Sequence, residues 1–334
     1  MSVGTKNRVA FSVAEAAFGT AAAIAGAKAW PFQGQRPVIK PTFATDADSL
    51  IGQMEWGREK VVQAVQTQAS FTFDFRLDCL AYWLFRMLGA DTVTGIGPYT
   101  HQFTLIQTDI PSFTTFWVDA NTTAGDVEQF PGCKVSKLTI SGKGGGKLTI
   151  KVDIIGNGTH AQVANAMVAN NTDIINPFST IGTYNIGGTL NVATMAAPTG
   201  GTNYMSPPVL DDFEIMLESM FEPNNEYVAG QTSLSALERL GLKVTGKGTH
   251  KWTENGLAGL MAIIEAATPE SLYWAMASGA NSAAIALPKA FFDDDSVQGQ
   301  RNVLKKPFTF EGFYDDTTAL AIKAQVINGT ASYT

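Results

Sequence analysis

From Lys147 the chain alternates strictly: Lys147, Thr149, Lys151 and Asp153 fall on one side, Leu148, Ile150, Val152 and Ile154 on the other. A period of two with one polar and one apolar set predicts a strand with one wet face and one buried face. The same pattern runs through 68–78, where Gln68, Ser70, Thr72, Asp74, Arg76 and Asp78 alternate with Ala69, Phe71, Phe73, Phe75 and Leu77. It recurs over 241–253, with Thr245, Lys247, Thr249 and Lys251 on the polar side and His250 and Trp252 on the apolar side. The glycines of GKGGGK at 142–147 predict a turn, which makes 133–155 a hairpin. Further strands are expected at 97–105, 111–120, 270–278, 283–292, 306–315 and 320–329, placing Glu311, Asp315 and Lys323 among the polar-face candidates. Two short helices interrupt them. One spans Cys79–Leu88 and is closed by Gly89; the other spans Asn255–Ala266, with Thr253 as cap and Glu254 in its first turn. The predicted class is mainly β with short helices (α+β).

Four segments follow. Residues 1–60, rich in Ala and Gly and then punctuated by Pro31, Pro37 and Pro41, read as an extended arm. Residues 61–160 form a first unit, 161–210 a linker and long loop, and 211–334 a second unit. The strand-to-helix junctions near Asp78 and Glu254 are separated by nearly the same stretch of chain as LTIKVDIIGNGT (148–159) and LAIKAQVINGT (320–330), which predicts an internal duplication. Two unrelated halves are the alternative. Within the linker, 191–208 has a Gly-Gly pair, three prolines and no periodicity; a loop this long is expected to touch a neighbour.

Charged residues make up only 16% of the chain, against ~25% in ordinary globular proteins, which suits a surface largely covered by neighbours. A net charge of −7 argues against gripping nucleic acid through its phosphates, although not against passing close to it. Cys79 and Cys133 make no disulfide framework and read as buried free thiols of a reducing compartment. No stretch is long and apolar enough for a membrane span. Residues 9–27 imitate a secretory signal, but Glu15 sits inside the apolar stretch, so no cleaved signal is expected.

Candidate chemistry is sparse. His101, His160 and His250 lack metal-ligand spacing, and no metal or cofactor is expected. Gly241–Lys247 imitates a phosphate-binding loop, yet Gly248 stands where Ser or Thr is needed, and the segment reads as a strand. GKGGGK precedes a strand rather than a helix N-terminus. The run Asp293–Asp295 lacks the ligand spacing of a calcium loop. No nucleophile–base pair or carboxylate pair stands in a catalytic context, so an enzyme is not expected. The N-x-T triplets at Asn121, Asn157 and Asn328 carry no weight without a secretory context.

The ordered set EAAFGT (15–20), DSLIGQ (48–53), MLGADTVTG (87–95), GPYTHQFTL, PSFTTFWVD and FPGCKVSKLTISG resembles the tail tube (major tail) protein of long-tailed, non-contractile bacteriophages. LESMFEPNNEYVAG (217–230), ERLGLKVTGKGTHKW (238–252) and IALPKAFFDDD (285–295) extend the resemblance, which covers about residues 8–330. It implies a tail-tube β-sandwich/barrel, assembly into stacked rings around a hollow bore, and partners that include the tail terminator, distal tail proteins and double-stranded DNA passing without specific binding. It also implies a place in the virion tail after assembly in the host cytoplasm. If each unit adds about four strands to a shared inner barrel, about 24 strands at ~4.8 Å spacing close at ~35–50 Å backbone diameter, wide enough for a duplex about 20 Å across. Two units per chain predict a threefold ring with pseudo-sixfold walls; one unit per chain in the wall predicts six chains.

On that resemblance the lumen candidates are Ser70, Thr72, Asp74, Arg76, Asp78, Lys147, Thr149, Lys151, Asp153, Thr245, Lys247, Thr249, Lys251, Glu311, Asp315 and Lys323, lining a neutral to negative bore. Ring-to-ring contacts are expected from the arm (1–45) and the long loop, at Thr194, Pro198, Thr199, Gly200, Gly201, Asn203 and Tyr204. The competing reading is a secreted or surface β-sandwich binding module (an adhesin or carbohydrate-binding protein), with Trp117, Trp252 and Trp274 as exposed aromatics; a hydrolase with a dispersed acidic site is a third.

Overall fold

The computed structural model describes residues 7–45, 60–118, 126–144, 146–164, 182–199, 210–221, 231–251, 254–294, 298–300 and 303–333. The first half holds β1 (Arg8–Ala14), β2 (Phe32–Gly34), β3 (Val38–Thr45), β4 (Lys60–Asp74), α1 (Leu77–Leu88), β5 (Gly89–Thr94), β6 (Tyr99–Leu105), β7 (Phe113–Val118), β8 (Asp126–Lys143), β9 (Thr149–Gly156) and β10 (Ala161–Ala164). The second holds β11 (Thr183–Ile186), β12 (Thr189–Asn191), β13 (Ala196–Thr199), β14 (Leu210–Phe221), β15 (Arg239–Lys251), α2 (Glu254–Ala266), β16 (Glu270–Ser278), β17 (Asn281–Asp294), β18 (Gln298–Gln300), β19 (Val303–Phe313) and β20 (Lys323–Asn328). The predicted hairpin, both helices and each alternating strand are present, within a few residues of the expected ends.

All pairings between strands are antiparallel, and the pattern of the first half recurs in the second. β1 pairs with β7, β7 with β8, β8 with both β10 and β9, β9 with β4, and β4 with β2 and β3. Likewise β11 pairs with β16, β16 with β17, β17 with both β20 and β19, β19 with β15, and β15 with β14. β8 and β17 are the long strands that leave one layer and enter the other. The halves join where β8 meets β14 and where β20 meets β6. One layer therefore runs β3–β4–β9–β8–β14–β15–β19–β17, and the other elements fold behind it. The sequence likeness between 148–159 and 320–330 does not mark equivalent strands. β9 lies between β4 and β8, whereas β20 lies between β17 and β6, the place that β10 holds beside β8. Alternation alone made them look alike.

α1 is buried on every side, its Asp78 and Arg86 included, and lies against β5, β6, β8 and β20. Gly89 stops it at φ 97°, and its N–H bonds the Phe85 carbonyl. Around α1 an aromatic cluster forms. Phe11 touches Trp30, Phe71, Phe73, Tyr82, Trp83 and Phe113, with centroid separations from 4.7 to 6.4 Å.

Phe11 belongs to the stretch expected to be an arm, so that expectation is corrected for residues 8–30. Val9, Ala10, Phe11 and Ser12 are fully buried in β1, and Trp30 donates from Nε1 to Asp78 at 2.7 Å. Glu15, which spoils the signal-like stretch in the sequence, is a buried anchor. It accepts hydrogen bonds from Ser112 Oγ (2.6 Å), Thr114 Oγ1 (2.7 Å) and the N–H groups of Gly132 (2.9 Å) and Gly19 (3.2 Å). A carboxylate with this many donors is stable in the interior. Arg239 ties the halves by donating to the Met87 and Ile106 carbonyls at 2.6 and 3.0 Å. Cys79 and Cys133 are buried free thiols, and burial pushes the pKa of Cys133 up to about 12.

The C-terminal segment is held by His101, which is fully buried. Its Nδ1 faces Asp91 Oδ2 at 2.8 Å and its Nε2 faces the Thr330 carbonyl at 2.7 Å. Both partners are acceptors, so both nitrogens donate and the ring is an imidazolium. Burial opposes the charge, yet the Asp91 hydrogen bond, the Thr330 carbonyl and the Asp91 charge outweigh it and hold the pKa above its ordinary value. With the folded pKa above the unfolded one, this contribution is complete below about pH 6.5 and is lost as pH rises through the folded value. The stability gap between the wild type and His101→Gln is therefore predicted to be widest in mild acid and to narrow toward alkaline pH in urea titrations; a gap independent of pH would refute the imidazolium.

Candidate tube-wall face

From β4 to β17 the layer buries the apolar side of its strands and offers the other to solvent, whereas on β3 Val38 and Phe43 are exposed and Ile39 is half-buried. On β9, Ile150, Val152 and Ile154 are buried while Thr149, Lys151 and Asp153 point outward; on β14, Phe213, Ile215 and Leu217 are buried against Asp212, Glu214, Met216 and Glu218. Opposed residues cross this outer face in rows. One row is Thr72, Lys151, Thr139, Met216, Thr245 and Glu311. The next is Asp74, Thr149, Ser141, Glu214, Lys247 and Thr309, and a third is Ser70, Asp153, Lys137, Glu218 and Lys243.

The charges interleave. The acidic column on β14 is flanked by Lys137 and Lys143 of β8 and by Lys243 and Lys247 of β15. Lys147 pairs with Asp74 (3.2 Å), Lys151 with Asp153 (3.8 Å), Lys243 with Glu311 (3.2 Å) and Lys247 with Glu214 (3.6 Å). These pairs are partly exposed, so each contributes less than about 1 kcal/mol to stability. Their larger effect is to cancel the field. On the described face the lysines are Lys40, Lys137, Lys143, Lys147, Lys151, Lys243, Lys247 and Lys289. The carboxylates are Asp74, Asp153, Asp212, Glu214, Glu218, Asp293 and Glu311, so the face is close to balance.

Ser70, Thr72, Asp74, Thr149, Lys151, Asp153, Thr245, Lys247, Thr249 and Glu311 are thus brought together on one face, with Lys147 at its margin. Three candidates are corrected. β4 ends at Asp74, and helix α1 turns Asp78 into the interior, where burial raises its pKa against the Trp30 hydrogen bond. Lys323 is buried on β20 and donates to the Val192 carbonyl at 2.9 Å. Asp315 lies beyond the end of β19 and caps its own turn through the Thr318 hydroxyl (2.7 Å) and N–H (2.8 Å), which lower its pKa. Arg76 precedes α1 as its N-cap residue. The side chains of Lys251 and His250 lie outside the described residues, as does Trp252.

Nine charged residues of the face were not among the lumen candidates: Lys40, Lys137, Lys143, Asp212, Glu214, Glu218, Lys243, Lys289 and Asp293. The alternation in KLTISGK and DDFEIMLESMF carries the signal that identified the others. Gly246 and Gly248, part of the false phosphate loop, lie on the inner side of β15. A Cβ there would sit 2.2 Å from Phe310 Cζ and 2.7 Å from Phe308 Cζ, so those glycines make room for rings.

The long loop is partly built. β12 and β13 form a hairpin on β16, with Met195 buried and its carbonyl accepting from Tyr273 Oη at 2.9 Å. Thr194 and Thr199 are exposed and Pro198 is half-buried, while Gly200, Gly201, Asn203 and Tyr204 lie outside the described residues. Among the described residues no group of three or more His, Cys, Asp or Glu side chains is placed to hold a metal. A shallow groove between β2–β3 and the outer face exposes Gln33, Gln68, Ser70 and Asp153, and its Arg36 is bonded to Glu128. It offers no nucleophile–base pair.

A family model described as phage tail tube protein matches residues 5–312. The chain belongs to the phage tail tube protein family. It is a structural component of the virion tail, from a family that builds a multi-subunit tube with other tail proteins. No curated protein matches it. Of the aromatics in the rival binding-module reading, Trp117 and Trp274 are buried and offer no sugar platform. No helix among the described residues is long and apolar enough to cross a membrane.

Proposed function

We propose that this tail tube protein closes into rings of three whose outer β3–β17 faces line the bore, and that the stacked rings conduct double-stranded DNA from capsid to host. The observation that carries this reading is the shared layer: each half contributes four strands, counting β2–β3 as one, to a single charge-balanced face. Three chains then supply about 24 strands, the number that encloses a duplex with water and side chains around it. The matching pairing order supports two duplicated tube units per chain, and hence pseudo-sixfold walls. A balanced wall releases few counterions from DNA and so does not hold phosphates, which lets the duplex slide.

Electron microscopy of the purified protein tests the reading. Hollow tubes of threefold rings with this face inward are expected; isolated monomers at every concentration, or rings with the face outward, would sink it. A sixfold ring lined by one half would overturn the count of three.

Ring-to-ring contact is assigned to the 191–208 stretch and to the far end of the β3–β4 ribbon, which carries exposed Phe43 and Val62. Thr194→Glu with Thr199→Glu places charge on the exposed side of the hairpin without touching buried Met195. Rings are expected to form but to stack at least about tenfold less in sedimentation; normal tube lengths would remove this hairpin from the contact.

A further inference from the structure

We infer that neighbouring copies join through one defined seam, in which the outer edge of β3 of one copy pairs antiparallel with the end of β17 of the next and sets Lys40 opposite Asp293. The inference rests on the tube reading and specifies its lateral contact. Within the chain the two halves are already joined by such a seam, β14 against β8, over Asp212–Glu218 and Lys137–Lys143. In the recurring pattern β17 takes the place of β8, and β2–β3, lying on β4, takes the place of β14, lying on β15. Neither counterpart edge carries a further strand among the described residues. β16 leaves β17 at Ala290, beyond which β17 is paired with β19 alone, and β3 is paired with β4 alone. Bare edges template further pairing, and a head-to-tail contact that repeats around an axis closes a ring.

The register follows from residues. The β4–α1 and β15–α2 junctions keep one offset (Asp74 to Lys251, Leu77 to Glu254), so Gln66 corresponds to Lys243 and Ser70 to Lys247. Lys40 pairs with Gln66 as Glu218 pairs with Lys243, which makes Lys40 the counterpart of Glu218. Ser70 leads through Asp153 to Lys137, and Lys247 leads through Thr309 to Asp293, which makes Asp293 the counterpart of Lys137. The internal pair Glu218–Lys137 therefore becomes Lys40–Asp293 between copies, with the signs exchanged and the attraction kept. Lys40 and Asp293 are both exposed. Pro41 follows Lys40 where the internal seam also ends, after Glu218, so its missing N–H interrupts no ladder.

The same registers set the shape. The row that starts at Thr72 reaches Thr245, the counterpart of Gln68, four residues along the strand. A shift of four residues per four strands tilts the strands by about 35°, the tilt of natural barrels. Two copies then close at about 30 Å backbone diameter, three at about 45 Å and four at about 60 Å. With side chains reaching about 5 Å inward, three copies leave space for a hydrated duplex and two do not.

Directly opposed residues have Cβ atoms near disulfide reach. The double variant Lys40→Cys with Asp293→Cys, assembled into tubes and mildly oxidised, is expected to give a non-reducing gel ladder ending at three chains; either single variant gives none. Native Cys79 and Cys133 are buried and do not compete. Should cysteine block assembly, Lys40→Glu and Asp293→Lys are expected each to weaken assembly at least about tenfold and together to restore it. Tubes seen by microscopy with neither cross-link nor charge rescue overturn the seam and leave the tube reading standing. A ladder that closes at another number overturns the count, and wild-type protein that never forms tubes overturns the tube reading and the seam with it.

Discussion

Phe11→Ala is expected to destabilise the unassembled subunit by about 3–5 kcal/mol, the largest effect of any single truncation near the N-terminus. The ring is fully buried and touches six other aromatic side chains, so its loss removes apolar burial and leaves a cavity that the two layers cannot collapse around. Urea midpoints of wild type and variant at low protein concentration measure it. Val13→Ala, two residues on and partly exposed, is the control and should cost less than about 1 kcal/mol. If residues 8–14 were an arm that orders only on neighbours, Phe11→Ala would leave subunit stability unchanged and impair assembly alone. An unchanged midpoint would therefore restore the arm and remove β1 from the core.

The same segment shows where sequence legibility ends. Strands with one wet face announce themselves, and β4, β9, β15 and β19 were visible by alternation. β1 is buried on successive residues, Val9, Ala10, Phe11 and Ser12, so it has no period of two to detect. Asp78 failed for a local reason: alternation ran past Asp74, but the chain had already turned into α1, whose apolar surroundings enclose every side chain. Lys323 failed for a distant one, because the hairpin that carries Val192 covers it from far along the chain. The charge balance of the face was only partly legible, since most of its charged residues were not singled out by alternation. It depends on β14 lying between β8 and β15, a pairing that no local pattern specifies.

That arrangement leads to the prediction with the greatest functional consequence. Asp212→Asn, Glu214→Gln and Glu218→Gln together remove the acidic column while keeping shape, leaving the described face with four more lysines than carboxylates per chain. Tubes should still form, since each exposed ion pair contributes little to stability. Their bore, however, becomes a cationic lining facing a polyanion. Duplex DNA is then held by counterion release: with about three phosphates neutralised per ring, affinity falls about 40-fold between 50 and 200 mM salt. Virions carrying the triple variant are expected to eject their genome at least about tenfold more slowly at low salt and to recover as salt rises. Lys243→Gln with Lys247→Gln, which tips the face the other way, should retain no DNA at any salt. Wild-type ejection by the triple variant at 50 mM salt, with intact tubes, would show that this face does not meet the DNA, because a wall at that distance cannot lose three negative charges per chain without the phosphates responding.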